Sequence, residues 1–215
     1  MLMVSLARKR ELTQAQAVLL ITIGLQLTLD KSLVLGPKYV LIVLELLLIF
    51  GIGITTPLKH SLGARLRRDF SLALIAIITL ANGASMVLVA NDLIHGASVA
   101  GRELIFAAFA IFVTNIIIFS LWYWEIDSPG LTGVYKHDTK PKFLFPQMQY
   151  KVEETKGWEP AYFDYLYLST TNSAAFSPTD ALPLTHDTKA LMGLQAFISL
   201  LTVVLVTARA VNILG

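Results

Sequence analysis

The sequence predicts an all-α protein: a polytopic membrane helix bundle with five to six transmembrane segments. Three observations predict it. Of 215 residues, 55% are hydrophobic and only 15% charged, where a soluble domain carries about a quarter charged residues. The charges gather between long apolar runs and are not interleaved with them, which is the pattern a bilayer imposes. Lys and Arg fall in alternate connections along the chain, the asymmetry that sets orientation in a membrane.

A span needs about 20 mainly apolar residues. The first is expected at 14–29. Arg8, Lys9 and Arg10 precede it, but no small-residue cleavage signature follows and Asp30 and Lys31 come next, so it reads as a retained span and not as a signal peptide. Gly36 and Pro37 break the chain before a second span at 39–57. The third is expected at 70–93 and the fourth at 103–124. Residues 125–160 form a polar connection that holds Pro129, Pro141, Pro146 and Pro160. A weaker apolar segment at 161–176 is short or re-entrant, and the last helix covers 188–214. The organisation is therefore a four-span bundle at 1–124, the connection at 125–160, and a segment plus final helix at 161–215.

Of the first fifteen Lys and Arg residues, twelve lie in the N-terminus, the 57–69 loop and the 125–160 connection. Those segments are expected to be cytoplasmic. Trp122, Tyr123 and Trp124 then read either as an interfacial belt or as core aromatics.

Several functions are excluded. There is no cysteine, hence no disulfide, thiolate site or cysteine nucleophile. His60, His95, His137 and His186 fall outside the apolar runs, and none lies four residues from another, so no helical metal pair exists. No catalytic triad, P-loop or dinucleotide fingerprint is present. The expectation is no enzyme, no metal, no cofactor and no nucleic-acid partner; the bilayer is the partner.

Polar residues inside the spans carry the remaining information. Glu45 sits within Leu-Glu-Leu-Leu-Leu. A charge at that depth costs at least about 2.5–3.5 kcal/mol, so Glu45 should face protein or water, or be protonated. On the last helix Gln195, Ser199, Thr202 and Arg209 are spaced 4, 3 and 7 and share one face. Such a stripe lines an aqueous path or joins helices by hydrogen bonds.

The C-terminal part carries two resemblances. Phe145, Pro146, Pro160, Asp164, Tyr167, Ser169, Asp180 and the closing run Ala210, Val211, Asn212, Ile213, Leu214 resemble the pattern of a family of bacterial integral membrane proteins of uncharacterised function. That resemblance covers about the last 95 residues and implies a location in the bacterial cytoplasmic membrane. The stretch from Ser169 to Asp180, continuing through Pro183, Thr185, Lys189 and Gln195, is similar without a gap to the pore region of the potassium-channel superfamily. There a pore helix ends in Thr-Val-Gly-Tyr-Gly-Asp and the inner helix follows.

That second resemblance implies a pore-like segment of Thr171, Asn172, Ser173, Ala175, Phe176, Ser177, Pro178, Thr179 and Asp180, a homo-oligomer and a monovalent cation. The departures lie in the filter. Ser177 and Thr179 stand where the filter glycines would be, and Pro178 replaces the tyrosine. Glycine permits the carbonyl-inward backbone that a selective filter needs, and proline locks φ. Orientation conflicts as well, since a channel pore loop enters from outside, whereas the basic residues make the fourth span run inward. As helix, residues 160–177 reach about 27 Å, nearly a hydrocarbon core, which favours a short sixth span over re-entry. Two functions remain open: a degenerate, weakly selective cation channel or transport protein, and a non-conducting accessory or scaffold protein.

The topology is tested with single cysteines at Ser61, Thr139 and Ser98, labelled in intact cells with an impermeant maleimide. Ser98 should label from outside while Ser61 and Thr139 stay protected. The opposite pattern reverses the orientation.

Overall fold

Long apolar runs without internal proline leave the backbone one way to satisfy its own N–H and C=O groups, and that is the helix. The computed structural model describes residues 2–28, 38–53, 61–95, 101–128, 141–149, 158–175 and 181–214. Its helices are α1 (Leu2–Thr28), α2 (Lys38–Gly53), α3 (Ser61–His95), α4 (Gly101–Asp127), the one-turn α5 (Pro146–Gln149), α6 (Tyr162–Ala175) and α7 (His186–Leu214). Two short strands, β1 (Phe143–Leu144) and β2 (Leu182–Pro183), pair antiparallel. The all-α class stands, with this pair as its only sheet among the described residues.

Among the described residues three helices are long and apolar enough to cross a membrane: Arg68–Asp92, Glu103–Asp127 and His186–Ala208. The expected count of five to six is larger. At 16 residues α2 extends about 24 Å. Helix α1 has 27 residues, but its first half carries Arg8, Lys9, Arg10 and Glu11, which leaves a short apolar stretch.

Helix α4 is the axis of the bundle. It packs against α1, α3, α6 and α7, and 67% of its apolar window is buried, against 44% for α3 and 22% for α7. Five consecutive residues, Ile117 to Leu121, are buried, so along this stretch α4 meets protein on every side, while Phe106 and Phe109 nearer its start are exposed. Its N-terminal half presents Ala107, Ala108 and Ala110 to Met86 and Val89 of α3 and to Leu201 and Leu205 of α7. Small residues there let the backbones approach closely. The C-terminal half joins a second cluster with Leu19 of α1, Ile75 and Ile78 of α3, Phe143, Tyr162, Tyr165 and Ile198.

The pairing also fixes direction. The start of α3 meets the end of α4 where Arg68 forms an ion pair with Glu125, Nε to Oε1 at 3.6 Å, and donates from its guanidinium to the Glu125 carbonyl. Leu12, near the start of α1, packs on the cluster at that same end. Arg68 and Lys142 both lie at this end, each in an ion pair there.

That end is closed by a structure the sequence presents as a mere polar connection. Trp124 and Tyr162 rings lie 5.0 Å apart, Tyr123 and Phe143 5.3 Å, Phe145 and Tyr165 5.6 Å, and Phe145 and Trp158 5.7 Å. Tyr123 and Trp124 are buried, and Trp122 donates its indole N–H to the Thr79 hydroxyl at 3.0 Å, so the three aromatics belong to the core. Asp127 accepts from the backbone N–H of Lys142 and of Phe143 and from the Tyr165 hydroxyl, the last at 2.8 Å. Lys142 in turn forms an ion pair with Asp187.

Asp127→Ala removes three hydrogen bonds at the point where β1, α4 and α6 meet. A loss of about 2–4 kcal/mol is expected in reversible unfolding of the purified protein, with Tyr165→Phe losing about 1 kcal/mol. Equal stability of all three proteins would show that Asp127 is not the clamp.

Candidate functional site

The polar residues singled out in the last third of the chain converge where α4, α6 and α7 meet. Helix α6 begins where the Asp164 carboxylate accepts from the Ala161 backbone N–H at 2.8 Å, the reciprocal half of a capping box. Its buried face carries Tyr162, Tyr165, Leu168, Ser169, Asn172 and Ser173, at helical spacing. Helix α7 begins at a similar cap, in which the Thr188 hydroxyl accepts from the Thr185 N–H at 3.3 Å. Its buried face runs Thr188, Met192, Gln195, Ile198, Ser199 and Thr202.

Gln195 is the hub, fully buried. Its Oε1 accepts from the Tyr123 hydroxyl at 2.5 Å and from Asn172 Nδ2 at 2.8 Å. Its Nε2 donates to the Ser169 hydroxyl at 2.6 Å, to the Ser169 carbonyl at 3.0 Å and to the Ser173 hydroxyl at 2.8 Å. Asn172 Nδ2 also donates to the Met192 carbonyl at 3.0 Å. One turn further, Asn115 Nδ2 donates to the Ser199 hydroxyl at 2.9 Å. Thr202 turns inward on its own helix and donates to the Ile198 carbonyl at 2.8 Å.

Both alternatives for the stripe meet this geometry. Gln195, Ser199 and Thr202 face the helix contact and have no exposed surface of any size: 0%, 0% and 3%. Between positions 194 and 204 the exposed side of α7 reads Leu194, Phe197, Leu200, Val203 and Val204, all apolar. The Arg209 side chain lies outside the described residues.

The pore-like segment is divided. Asn172 and Ser173 are in the hub. Thr171 is half-buried, donates to the Tyr167 and Leu168 carbonyls and lines a cleft of about 40 Å³ with Phe145, Asp164, Leu168 and Ala181. Ala175 is exposed at the end of α6. Phe176, Ser177, Pro178, Thr179 and Asp180 lie outside the described residues. What surrounds them is informative. Strand β1, before α6, is hydrogen-bonded to β2, after it, with Phe143 opposite Pro183 and Leu144 opposite Leu182. Trp158 packs on Phe145 and Ala181 lines the cleft beside it. The chain thus enters and leaves α6 at one place. Helix α6 has 14 residues, about 21 Å, and its hydrogen bonds to α4 all fall on residues 116–127.

Glu45 lies elsewhere, between α2 and α1, fully buried, and accepts from Gln26 Nε2 at 2.7 Å. Among the described residues no group of three His, Cys, Asp or Glu side chains could hold a metal.

Sequence reasoning missed Tyr123, Asn115 and Ser120 as partners. Ser120 bonds the Tyr162 hydroxyl at 2.9 Å. Asn115 and Tyr123 share a face of α4 with Phe119, at spacings of four. That face was legible, but the helix it meets was not. Chemically the hub consists of neutral amides and hydroxyls with their polar atoms satisfied, an arrangement that holds three helices together and offers no nucleophile–base pair.

No family model matches the chain, and no curated protein or solved structure matches it either. The two resemblances at its C-terminus therefore stand on the quoted residues alone.

Gln195→Leu strips partners from Ser169, Ser173, Asn172 and Tyr123 at once. Interhelical hydrogen bonds in membrane proteins average about 0.6 kcal/mol each, so the loss should reach about 2–4 kcal/mol in reversible unfolding. Ser199→Ala should lose about 0.6 kcal/mol and Thr202→Val almost nothing. A Thr202→Val loss as large as that of Gln195→Leu would remove Gln195 from its place as hub.

Proposed function

We propose that this chain is a non-conducting multi-pass protein of the bacterial cytoplasmic membrane, with an accessory or scaffolding role, and that its pore-like unit serves as a packing module. In this reading α1, α2, α3, α4 and α7 cross the bilayer, the N-terminus and the 125–160 connection are cytoplasmic, and α6 re-enters from the cytoplasmic side. The chain then crosses five times. Helices α1 and α2 are shorter in apolar length than a typical core, a mismatch that thinning and flanking residues absorb at modest cost.

One observation carries the functional reading: Gln195 and Ser199 of the polar stripe are consumed by hydrogen bonds to α4 and α6, and Thr202 turns to its own helix. An ion path along Gln195, Ser199 and Thr202 needs those groups turned toward water. Rotating α7 to do so would strand Asn172, Ser169, Ser173 and Asn115 inside an apolar contact, at the full desolvation cost of each. The face that α7 leaves exposed offers no polar lining. It suits lipid or a second copy of the chain.

Two further facts support the same reading. The strands that flank α6 are paired, which supports a re-entrant hairpin open, in this reading, to the cytoplasmic side and so inverted relative to a potassium-channel pore loop. And Ser177, Pro178 and Thr179 replace the residues whose backbone would form a carbonyl filter.

The test is ion flux from purified protein in liposomes loaded with potassium or sodium. No flux above protein-free liposomes is expected, and Asp180→Asn should leave the trace unchanged. Flux that is reduced by Asp180→Asn, most strongly at low salt where a mouth charge is least screened, would establish the channel reading in its place.

A further inference from the structure

Among the described residues, three buried polar atoms have no hydrogen-bond partner: Gln26 Oε1, Glu45 Oε2 and Gln147 Oε1. Two of the three belong to one pair of side chains. Gln26 Nε2 donates to Glu45 Oε1 at 2.7 Å, so amide and carboxyl are joined at one corner, and the oxygen at each remaining corner is left without a donor. Glu45 is 0% exposed and Gln26 6%. Beside them Thr22, also 0% exposed, has its hydroxyl in reach of both the Leu19 carbonyl and the Glu45 carboxyl, and its one hydrogen serves only one of them at a time.

An ionised Glu45 accepts only. It would hold a full charge in an apolar helix pair with its Oε2 left without a donor, while the Gln26 carbonyl oxygen is left without one as well. The group missing from this arrangement is one hydrogen. A carboxylic acid supplies it: its O–H donates to Gln26 Oε1 and closes a two-point acid–amide pair, which satisfies both orphan oxygens with one proton and no net charge.

Among the described residues no charge is placed to substitute for that proton. On α1 the nearest described ionisable residues, Glu11 and Arg10, stand eleven or more positions before Thr22, about 16 Å along the axis. On α2 they are Tyr39 and Lys38, about 9 Å or more away along the axis. Helix α3, which packs on α2, carries Arg68, Asp69 and Asp92 at its ends. Helices α4 and α6, which pack on α1, carry Glu103, Glu125 and Asp127, and Asp164 with Tyr162, Tyr165 and Tyr167. None of these forms an ion pair with Glu45; the described ion pairs are Arg68 with Glu125 and Lys142 with Asp187.

We infer that Glu45 and Gln26 form a proton-binding site between α1 and α2, in which Glu45 is resident as the neutral acid and its proton completes the contact of the two helices. The site stands apart from the α4–α6–α7 hub and is independent of whether the chain conducts. Loss of the proton leaves a charge opposed to the Gln26 oxygen, so the α1–α2 contact loosens on deprotonation.

Infrared spectroscopy of the full chain in liposomes, at neutral pH and in sodium- and potassium-free buffer, reads the proton directly. A carboxylic-acid carbonyl band that shifts in deuterium oxide is expected, and it should be lost in Glu45→Gln. That variant keeps a two-point amide–amide pair, so its thermal unfolding should match the parent, while Glu45→Ala unfolds at lower temperature. Should Glu45→Gln not fold, Gln26→Met assigns the band instead, because the freed carbonyl moves to higher frequency. Carboxylate bands without an acid band overturn the inference, as does an acid band unmoved by both substitutions. An acid band that disappears when sodium or potassium is added at constant pH also overturns it, because the oxygens then hold a cation.

Discussion

A polar group carried into an apolar bundle has to find its partner there, because neither lipid nor hydrocarbon side chains can supply one. Gln195 meets that demand for three helices at once. Its two acceptor positions and two donor hydrogens are distributed over Tyr123 of α4 and Asn172, Ser169 and Ser173 of α6. Because each of those groups depends on the same amide, the hub fixes the rotation of α7 and the depth of α6 together. A rotation of either helix by one residue, about 100°, would leave several buried groups unpaired. Leu, Ile and Val contacts tolerate such slippage far better, since they have no direction.

Helix α4 makes this arrangement workable. Its alanines at 107, 108 and 110 bring α3 and α7 close at one end, while bulky aromatics at 119, 123 and 124 open room at the other for α6 and for the hairpin of β1 and β2. Asp127 sits at the rim of this plug and accepts from β1 and from Tyr165, so the connection that returns the chain is tied to the helix that it leaves. The plug and the ion pairs of Arg68 and Lys142 all belong to this one end.

Glu45 obeys the same constraint by different means. Gln195 is satisfied by other neutral groups, whereas Glu45 meets an amide that can satisfy only one of its oxygens. Proton uptake is the remaining route to a fully paired contact, and it turns a structural necessity into a group that responds to its surroundings. Unlike the neutral amides and hydroxyls of the hub, Glu45 has hydrogen bonding that changes with its charge state.

The sequence by itself determined the helices: apolar length sets where a chain cannot be extended or irregular, and α1 to α4, α6 and α7 fall within a few residues of the expected runs, except where α1 and α3 extend into their basic flanks. It also determined that Gln195, Ser199 and Thr202 share a face, because 3.6-residue periodicity is a local property. It left open what that face meets. Periodicity names a face but not its neighbour, and a Gln among Leu and Val reads alike beside water and beside Asn172. Only the tertiary structure decided that the stripe meets α4 and α6, that Tyr123 and Trp124 are core, and that residues 142–145 of an apparently polar connection form a buried plug. It also decided that α6 enters and leaves at one place. The physical reason is common to all four: each depends on contacts between residues distant in sequence, such as Phe143 with Pro183 and Asn115 with Ser199, and contacts of that kind are set by which helices pack together.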